Sequence, residues 1–214
     1  MKREVKVLER YAAFQGYFRI DRYLLRHTRH DGTLGAPIRR EIFERGHAVA
    51  VLPHDPARDR VVLVEQFRPG AFAAGIDPWL IEVIAGIIDP GETPEQVVRR
   101  EAKEEAGLDL DRLTLIGNVA LTPGGSSETL AIYYATADLG SAGGVFGVDA
   151  EGEDIKVHTL AVDEALAMLA AGRIANAATI IALQWLALNR AALAAPNSAD
   201  RLSLVGPPAR SQGA

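Results

Sequence analysis

The alternation of hydrophobic and polar residues divides the chain into three parts. Charged and apolar positions are mixed throughout residues 1–45, which predicts antiparallel strands with one face in water. A segment of this size is not stable alone, so we expect it to pack on the rest of the protein or on a second subunit. Residues 46–195 carry most of the apolar sequence and predict the main domain. Residues 196–214 are polar and punctuated by Pro and Gly, which predicts a flexible tail.

The main domain is predicted to interleave strands with helices. Six apolar segments have the length and composition of strands: His47 to Leu52, Arg60 to Phe67, Trp79 to Ala85, Arg112 to Ala120, Leu130 to Ala137 and Ile155 to Leu160. Residues 53–59 predict a hairpin turn between the first two. Two helices are predicted at the end, from Glu164 to Ala171 and from Asn176 to about Leu193. Asp163 is the expected N-cap of the former, and Gly172 its stop. The fold class is therefore α/β, a mixed sandwich.

A further helix has clear signals at both ends. Thr93 is the expected N-cap, Pro94 occupies the first helical position, and Gln96 completes a capping box. Gly107 provides the stop.

This helix carries three carboxylates on one side. Glu101 and Glu105 lie one turn apart, with Glu104 on the same arc. Like charges at this spacing cost an isolated helix roughly 0.2–0.5 kcal/mol per pair. Arg100 and Lys103 can compensate them, but clustered carboxylates also form a hard oxygen site for Mg²⁺. A solvated acidic face is the alternative, and the commoner one for a helix considered alone.

Composition restricts the classes of function. The 214 residues are 48% hydrophobic and 24% charged, as in ordinary globular proteins. A net charge of −5 without a basic stripe argues against nucleic acid as a partner. The absence of cysteine excludes disulfides and thiolate metal sites. The N-terminus lacks the apolar core of a signal peptide, and polar residues interrupt the most apolar stretch, residues 175–195. We therefore expect no membrane span and, by default, a cytoplasmic location.

Two glycine-rich loops are candidates for function. Residues 121–128, LTPGGSSE, join two strands, and on composition alone a plain turn is the favoured interpretation. Residues 140–154 form a loop unusually long for a compact domain, with five glycines and the acids Asp149, Glu151, Glu153 and Asp154. A solvated connection is possible there, but we favour a lid that supplies a catalytic base.

Arginines near the predicted strands suit a pyrophosphate ligand. Arg39, Arg40 and Arg68 have guanidinium groups that bind phosphate oxygens in pairs. Each alone is more often a surface residue. The five histidines have no spacing typical of a metal site or a catalytic triad, so none is assigned a role.

Residues 86–108, GIIDPGETPEQVVRREAKEEAGL, resemble the signature of the Nudix hydrolases. That signature is a Gly, five residues, a Glu, seven residues, then Arg-Glu-aliphatic-x-Glu-Glu-x-Gly-aliphatic. The matching positions are Gly86, Glu92, Arg100, Glu101, Ala102, Glu104, Glu105, Gly107 and Leu108. Ala102 is the smallest residue that the aliphatic position usually takes. Pro123, sixteen residues after Gly107, is associated with the members that cleave ADP-ribose, and the likeness to that group extends over about residues 15–193.

The resemblance implies a fold, an activity and an assembly. The fold is a Nudix-type mixed-sheet α/β/α sandwich with a small N-terminal antiparallel strand region. The activity is Mg²⁺-dependent hydrolysis of ADP-ribose to AMP and ribose 5-phosphate, with Mn²⁺ as a possible substitute. The assembly is a homodimer that exchanges its N-terminal strands.

It also implies roles for single residues. Glu101, Glu105 and the backbone carbonyl of Ala85 would bind metal, supported by Glu104. Glu151 would be the base, with Glu153 a neighbour that reaches the metals and is second candidate for the base. Should both be dispensable, Glu104 is next. The residues that would contact substrate are Arg40, Arg68, Glu128 near the terminal ribose, Tyr17 against the adenine, and Thr122 and Gly124 in the 121–128 loop.

Alternatives remain open at this point. Nothing in the signature selects the nucleoside, so the substrate could be another nucleoside-diphosphate sugar such as GDP-mannose. A non-catalytic Nudix ligand sensor, or an acidic protein with a structural metal, is disfavoured by the intact glutamates and the lack of a second domain.

Overall fold

The computed structural model of the protein describes residues 3–140, 142–148 and 152–193. Within these, the chain forms two compact units. One contains residues 3–47 together with 120–129, and the other contains residues 48–119 together with 130–193. The loop around residue 125, which the sequence pattern placed in the main domain, thus belongs to the N-terminal unit. The predicted tail, residues 196–214, lies outside the described residues.

The N-terminal unit is a three-stranded antiparallel sheet, as predicted. Its strands are β1 (Val5–Gln15), β2 (Arg19–His27) and β3 (Ile38–Glu44), paired in that order. The 120–129 loop is attached to β3, since the N–H of Phe43 donates to the carbonyl of Gly125 at 2.8 Å. Every residue of β1 is exposed.

The second unit is built on an eight-stranded mixed sheet. Its strands are β4 (Ala48–Asp55), β5 (Arg60–Phe67), β6 (Trp79–Glu82), β7 (Ile84–Ile87), β8 (Leu113–Ala120), β9 (Thr129–Thr136), β10 (Gly144–Phe146) and β11 (Ile155–Ala161). The order is β10-β11-β5-β4-β9-β8, with β6 paired to β5 and β7 to β4. β4 runs parallel to β9 and antiparallel to β5 and β7.

Helices cover both faces of this sheet. They are α1 (Pro69–Ala73), α2 (Pro94–Ala106), α3 (Val162–Ala170) and α4 (Ala177–Leu193). Side chains alternate along β5: Val61 and Leu63 lie in the core formed with α3 and α4, whereas Val62 and Val64 lie in the core formed with α2. The α/β/α sandwich is therefore confirmed. Among the described residues, no helix is long and apolar enough to cross a bilayer.

Two predicted strand boundaries are wrong. β4 continues through Pro53 to Asp55, because it gains a parallel partner in β9, with Pro53 opposite Ala135. The turn is correspondingly shorter. The segment predicted as one strand from Trp79 to Ala85 is two strands, because β6 pairs with β5 and β7 pairs with β4.

The ends of the last two helices also differ from prediction. Asp163 is not the N-cap of α3: Ala161 takes that position, and Asp163 forms an ion pair with Arg190 of α4. Asn176 lies just before α4 and caps it, since its Oδ1 accepts from the N–H of Thr179 at 3.0 Å. The predicted 140–154 loop contains the short strand β10, which pairs with β11.

Candidate active site

The ends of α2 are as the sequence predicts. Thr93 and Gln96 form a reciprocal capping box, in which the N–H of Thr93 donates to Gln96 Oε1 at 2.8 Å. At the other end, Gly107 adopts a φ of 65°, in the left-handed region, and its N–H donates to the carbonyl of Lys103 at 3.0 Å. Both ends of the helix are thus fixed, which places its three glutamates.

Gly86 on β7 leaves room for Glu101. A Cβ added at Gly86 would lie 1.9 Å from Glu101 Oε1 and 2.5 Å from Glu101 Cγ. These distances are far below van der Waals contact, so only glycine allows the glutamate to lie against β7. The first position of the sequence signature is therefore a packing requirement of the carboxylate cluster.

Glu105 and Glu101 are held in an environment that opposes their charge. Glu105 is only 3% exposed, and burial, followed by the charge of Glu101, raises its pKa to about 8. Burial also raises the pKa of Glu101 to about 7, against the opposing effect of Arg100. Glu105 Oε2 accepts from the N–H of Ala85 at 3.3 Å. Two carboxyl groups whose pKa values lie near neutral pH therefore share one face of the helix, and a bound cation would stabilise their ionised form.

Arg100 organises the outer side of this cluster. Its Nε and Nη2 donate to the two oxygens of Glu92 at 3.1 and 3.3 Å. Its Nη1 donates to Glu101 at 2.8 Å and to Glu104 at 2.9 Å. The hydrogen bond from Arg100 lowers the pKa of Glu92. Glu92 and Arg100 therefore hold the carboxylate-bearing face of α2 in place.

The donor set fits a divalent cation, although it is not arranged as a closed cage. Among the described residues, no three acidic or histidine side chains are placed to hold a metal ion together. Glu101 instead accepts a hydrogen bond from Arg100, and Glu105 accepts one from the N–H of Ala85. The side chains nevertheless offer carboxylate oxygens, the hard donors that divalent cations such as Mg²⁺ prefer, and a nearby positive charge would favour their ionised form.

An open groove of about 560 Å³ adjoins this cluster in the same unit. It is lined by residues that include Phe67, Arg68, Trp79, Glu153, Asp154 and Lys156. The charge of Arg68 opposes the rise in the pKa of Glu105, and that of Glu153 adds to it. Glu153 is positioned by the N–H of Val148, which donates to its Oε2 at 3.1 Å. The structure thus brings Arg68 and Glu153 together with the glutamates of α2.

The remaining predicted substrate residues lie in the N-terminal unit. Tyr17 is 90% exposed, and Arg40 donates to the carbonyl of Arg39 at 2.7 Å. Glu128 is buried, with Arg45 Nε 3.6 Å from its Oε1. Thr122 begins a tight turn that includes Gly124, since the Thr122 carbonyl accepts from two N–H groups three and four residues on. Glu151, the predicted base, lies outside the described residues.

One charged residue that contacts Arg68 of the groove was not singled out from the sequence. Glu82 is 3% exposed and accepts a hydrogen bond from Arg68 Nε at 2.6 Å. The available signal was a single carboxylate in the apolar run WLIEVIAG. A buried lone charge in a strand calls for a partner, but the sequence does not reveal which one.

The chain is similar to several known proteins over most of its length. A family model described as NUDIX domain matches residues 44–201. The ADP-ribose pyrophosphatase of Escherichia coli (strain K12) is 44% identical over 192 residues, which cover 90% of this chain and 92% of the relative. The ADP-ribose pyrophosphatase of Haemophilus influenzae is 37% identical over 195 residues, with 90% of each chain covered.

One more distant relative is named for a different substrate. A GDP-mannose pyrophosphatase of Yersinia pestis (strain Pestoides F) is 33% identical over 173 residues, covering 80% of this chain and 85% of the relative. The crystal structure of an ADP compounds hydrolase superposes with a TM-score of 0.65 at 20% identity, covering 87% of this chain and 96% of that one. At that identity the likeness concerns the fold alone.

Proposed function

This chain belongs to the NUDIX domain family and is a Nudix hydrolase, and we propose that it hydrolyses the pyrophosphate bond of ADP-ribose to give AMP and ribose 5-phosphate. The observation that carries the proposal is the pair Glu101 and Glu105, whose pKa values are raised beside a groove that contains Arg68. The two ADP-ribose pyrophosphatases support the choice of substrate, because they match nine-tenths of the chain.

We assign the cofactor as Mg²⁺, with Mn²⁺ able to replace it. Glu101, Glu105 and the Ala85 carbonyl would hold it, with Glu153 and Glu104 as further oxygen donors. When bound, the cation supplies positive charge that neutralises the non-bridging oxygens of the pyrophosphate. The chelation-sensitive activity that this predicts is checked by adding EDTA and then restoring each metal.

The protein side chains do the rest of the chemistry. Arg68 binds a phosphate through its guanidinium N–H groups. A carboxylate takes a proton from the attacking water as the water oxygen bonds to phosphorus and the bridging oxygen leaves. Glu151 is the first candidate for this base, Glu153 the second and Glu104 the third. Closure of the 140–154 loop over the groove would exclude bulk water.

A panel of substrates tests the function. We expect AMP and ribose 5-phosphate from ADP-ribose in the presence of Mg²⁺. Hydrolysis of GDP-mannose, the alternative substrate suggested by the Yersinia relative, should be slower. Glu101→Gln and Glu105→Gln should each lower the rate by about 10²–10³. Glu95→Gln is the matched control, because Glu95 is an exposed glutamate in the first turn of the same helix. No hydrolysis of either nucleotide would favour the sensor alternative instead.

We further propose that the protein is a homodimer with exchanged N-terminal strands. The exposed strand β1 carries apolar side chains at Val5, Val7 and Phe14. Contact of these side chains with a second subunit would remove apolar surface from water. In the dimer, Tyr17 would stack on the adenine, with Arg40, Glu128 and the turn at Thr122 and Gly124 completing the substrate site.

Sedimentation of the full chain should give a dimer. Deletion of residues 1–45 should give an insoluble or inactive protein, because it removes the strands that complete the assembly. A soluble, fully active monomer from that deletion would contradict the proposed exchange.

A further inference from the structure

Glu82 joins the candidate substrate groove to the start of α4. It is the last residue of β6, and its side chain is almost fully buried. Its Oε2 accepts from Arg68 Nε at 2.6 Å, and its Oε1 accepts from Asn176 Nδ2 at 2.5 Å. Each carboxylate oxygen therefore has its own donor, one of them charged, which satisfies a group that is costly to bury.

Asn176 is itself fixed in one orientation. Its Oδ1 accepts from the N–H and the hydroxyl of Thr179 at 3.0 and 3.1 Å. Thr179 Oγ1 in turn accepts from the N–H of Val83 at 2.9 Å. Because the amide oxygen is engaged by the helix cap, only the amide NH₂ can face Glu82. The network thus connects the end of β5, the junction of β6 and β7, and the first turn of α4.

The network determines which edge of Arg68 is available to a ligand. Its Nε is used by Glu82, and within the described residues its two Nη nitrogens make no hydrogen bond. The side chain is 39% exposed and lines the groove. A guanidinium held at Nε presents the Nη1/Nη2 edge, whose parallel N–H groups match two phosphate oxygens. An untethered arginine would lose rotamer freedom on binding, whereas this one has already lost it.

We propose that Glu82 and Asn176 are positioning residues that hold Arg68 with its Nη1/Nη2 edge towards a phosphate of the substrate. This inference rests on the proposed hydrolysis of a nucleoside-diphosphate sugar and deepens it, by assigning residues that act through Arg68 without touching the ligand. The contact is made before and during the reaction, so the effect falls on substrate affinity more than on turnover.

The first test is Glu82→Gln in the full chain with Mg²⁺. Glutamine keeps the shape but replaces one acceptor by an NH₂ group, which opposes either Arg68 or Asn176. We expect KM for ADP-ribose to rise about tenfold with kcat within about threefold, as for the loss of one charge-assisted contact. Binding of ADP-ribose in EDTA, measured by calorimetry, should weaken by a similar factor. Asn176→Ser should act in the same direction, since serine preserves a cap for α4 but cannot reach Glu82.

Two comparisons separate positioning from a loss of stability. Asp55→Asn is the matched control. Asp55 is a buried carboxylate that accepts a hydrogen bond from Arg58 at 2.6 Å. It lies opposite Arg60 in the β4–β5 ladder, at the far end of β5 from Arg68. It should lower the melting temperature without raising KM. The second comparison adds Glu82→Gln to Arg68→Met, where no further loss of affinity is expected because the residue acted upon is gone.

The outcomes are distinct. The inference is overturned if Glu82→Gln raises KM no more than Asp55→Asn does, or if it weakens the Arg68→Met variant as strongly as it weakens the unaltered protein. Failure of the proposed function looks different, because the unaltered protein would then release no AMP from ADP-ribose.

Discussion

Replacement of Gly86 by alanine should separate catalysis from folding. The added methyl would lie 1.9 Å from Glu101 Oε1, 2.2 Å from its Cδ and 2.5 Å from its Cγ. Because Cγ is included, a rotation of the carboxylate alone does not relieve the overlap, and the whole side chain must leave β7. A single methyl group on β7 should therefore displace Glu101, which is one of the two principal candidates for metal binding.

The expected cost in stability is small. Gly86 lies in a regular strand opposite Val49 and does not need a positive φ, so alanine gains about 0.4–1 kcal/mol by restricting the unfolded chain. Overpacking typically costs about 1–3 kcal/mol, but here the obstructing group is one side chain that can turn towards solvent. That movement also releases a carboxyl whose pKa burial raises to about 7. These contributions oppose each other, and we expect the free energy of unfolding to change by about 1 kcal/mol or less.

The expected loss of activity is much larger. Removing a principal electrostatic contributor lowers the rate by about 10²–10³, so Gly86→Ala should resemble Glu101→Gln. The assay is release of AMP from ADP-ribose over a range of Mg²⁺ concentrations, together with urea unfolding. Gly117→Ala on β8 is the control, because a Cβ there meets no atom within 4 Å. If Gly86→Ala keeps a rate within about threefold of the unaltered protein, the reasoning from packing to metal site is wrong.

Three further predictions follow from the carboxylate cluster and its surroundings. In EDTA, the free energy of unfolding should fall as pH rises from about 5 to 8, by up to about 1.4 kcal/mol per pH unit for each carboxyl. The reason is that the native state keeps protons on Glu101 and Glu105 until about pH 7 and 8, whereas the unfolded chain releases them near pH 4.5. Saturating Mg²⁺ should remove most of this slope, and an apo-protein whose stability is flat or rises over that range would contradict it. Glu153→Gln should raise the Mg²⁺ requirement and be partly rescued by more metal, whereas Glu151→Gln should lower kcat by about 10²–10⁴ with little change in KM; the opposite pattern in metal titrations would exchange the two roles. Thr93→Ala should lower the free energy of unfolding by about 1 kcal/mol through loss of the N-cap of α2, and an unchanged urea midpoint would contradict a role for that cap.

Features determined by neighbouring residues were predictable from the sequence. The capping box at Thr93 and Gln96 and the stop at Gly107 are within a few residues of the helix ends, so α2 could be assigned closely. Features that depend on a distant strand could not. Pro53 is a turn residue by local preference, yet β4 includes it because Ala135 of β9 lies opposite. Asp163 looks like an N-cap, but Arg190, 27 residues further along, is its partner.

The site divides in the same way. Glu101, Glu104 and Glu105 share a helical arc, which periodicity alone determines. Glu82, in contrast, contacts Arg68, which is 14 positions away in the sequence, and Asn176, which is 94 positions away. No short sequence pattern contains both contacts. Sequence reasoning therefore located the groups proposed to bind metal and missed the network that orients an arginine beside them.

The structure accommodates the unfavourable cluster by placing it between two stable ends. Like charges on one arc and burial of Glu105 both oppose formation of α2, while the capping box and the left-handed Gly107 favour it. On its buried face the helix also contributes Val97, Val98 and Ala102 to the core under the sheet. Because these contributions do not involve the carboxyls, the helix can form before any cation binds. Burial raises the pKa of Glu101 to about 7 and that of Glu105 to about 8, so their ionised forms are disfavoured until a positive charge lies close to them.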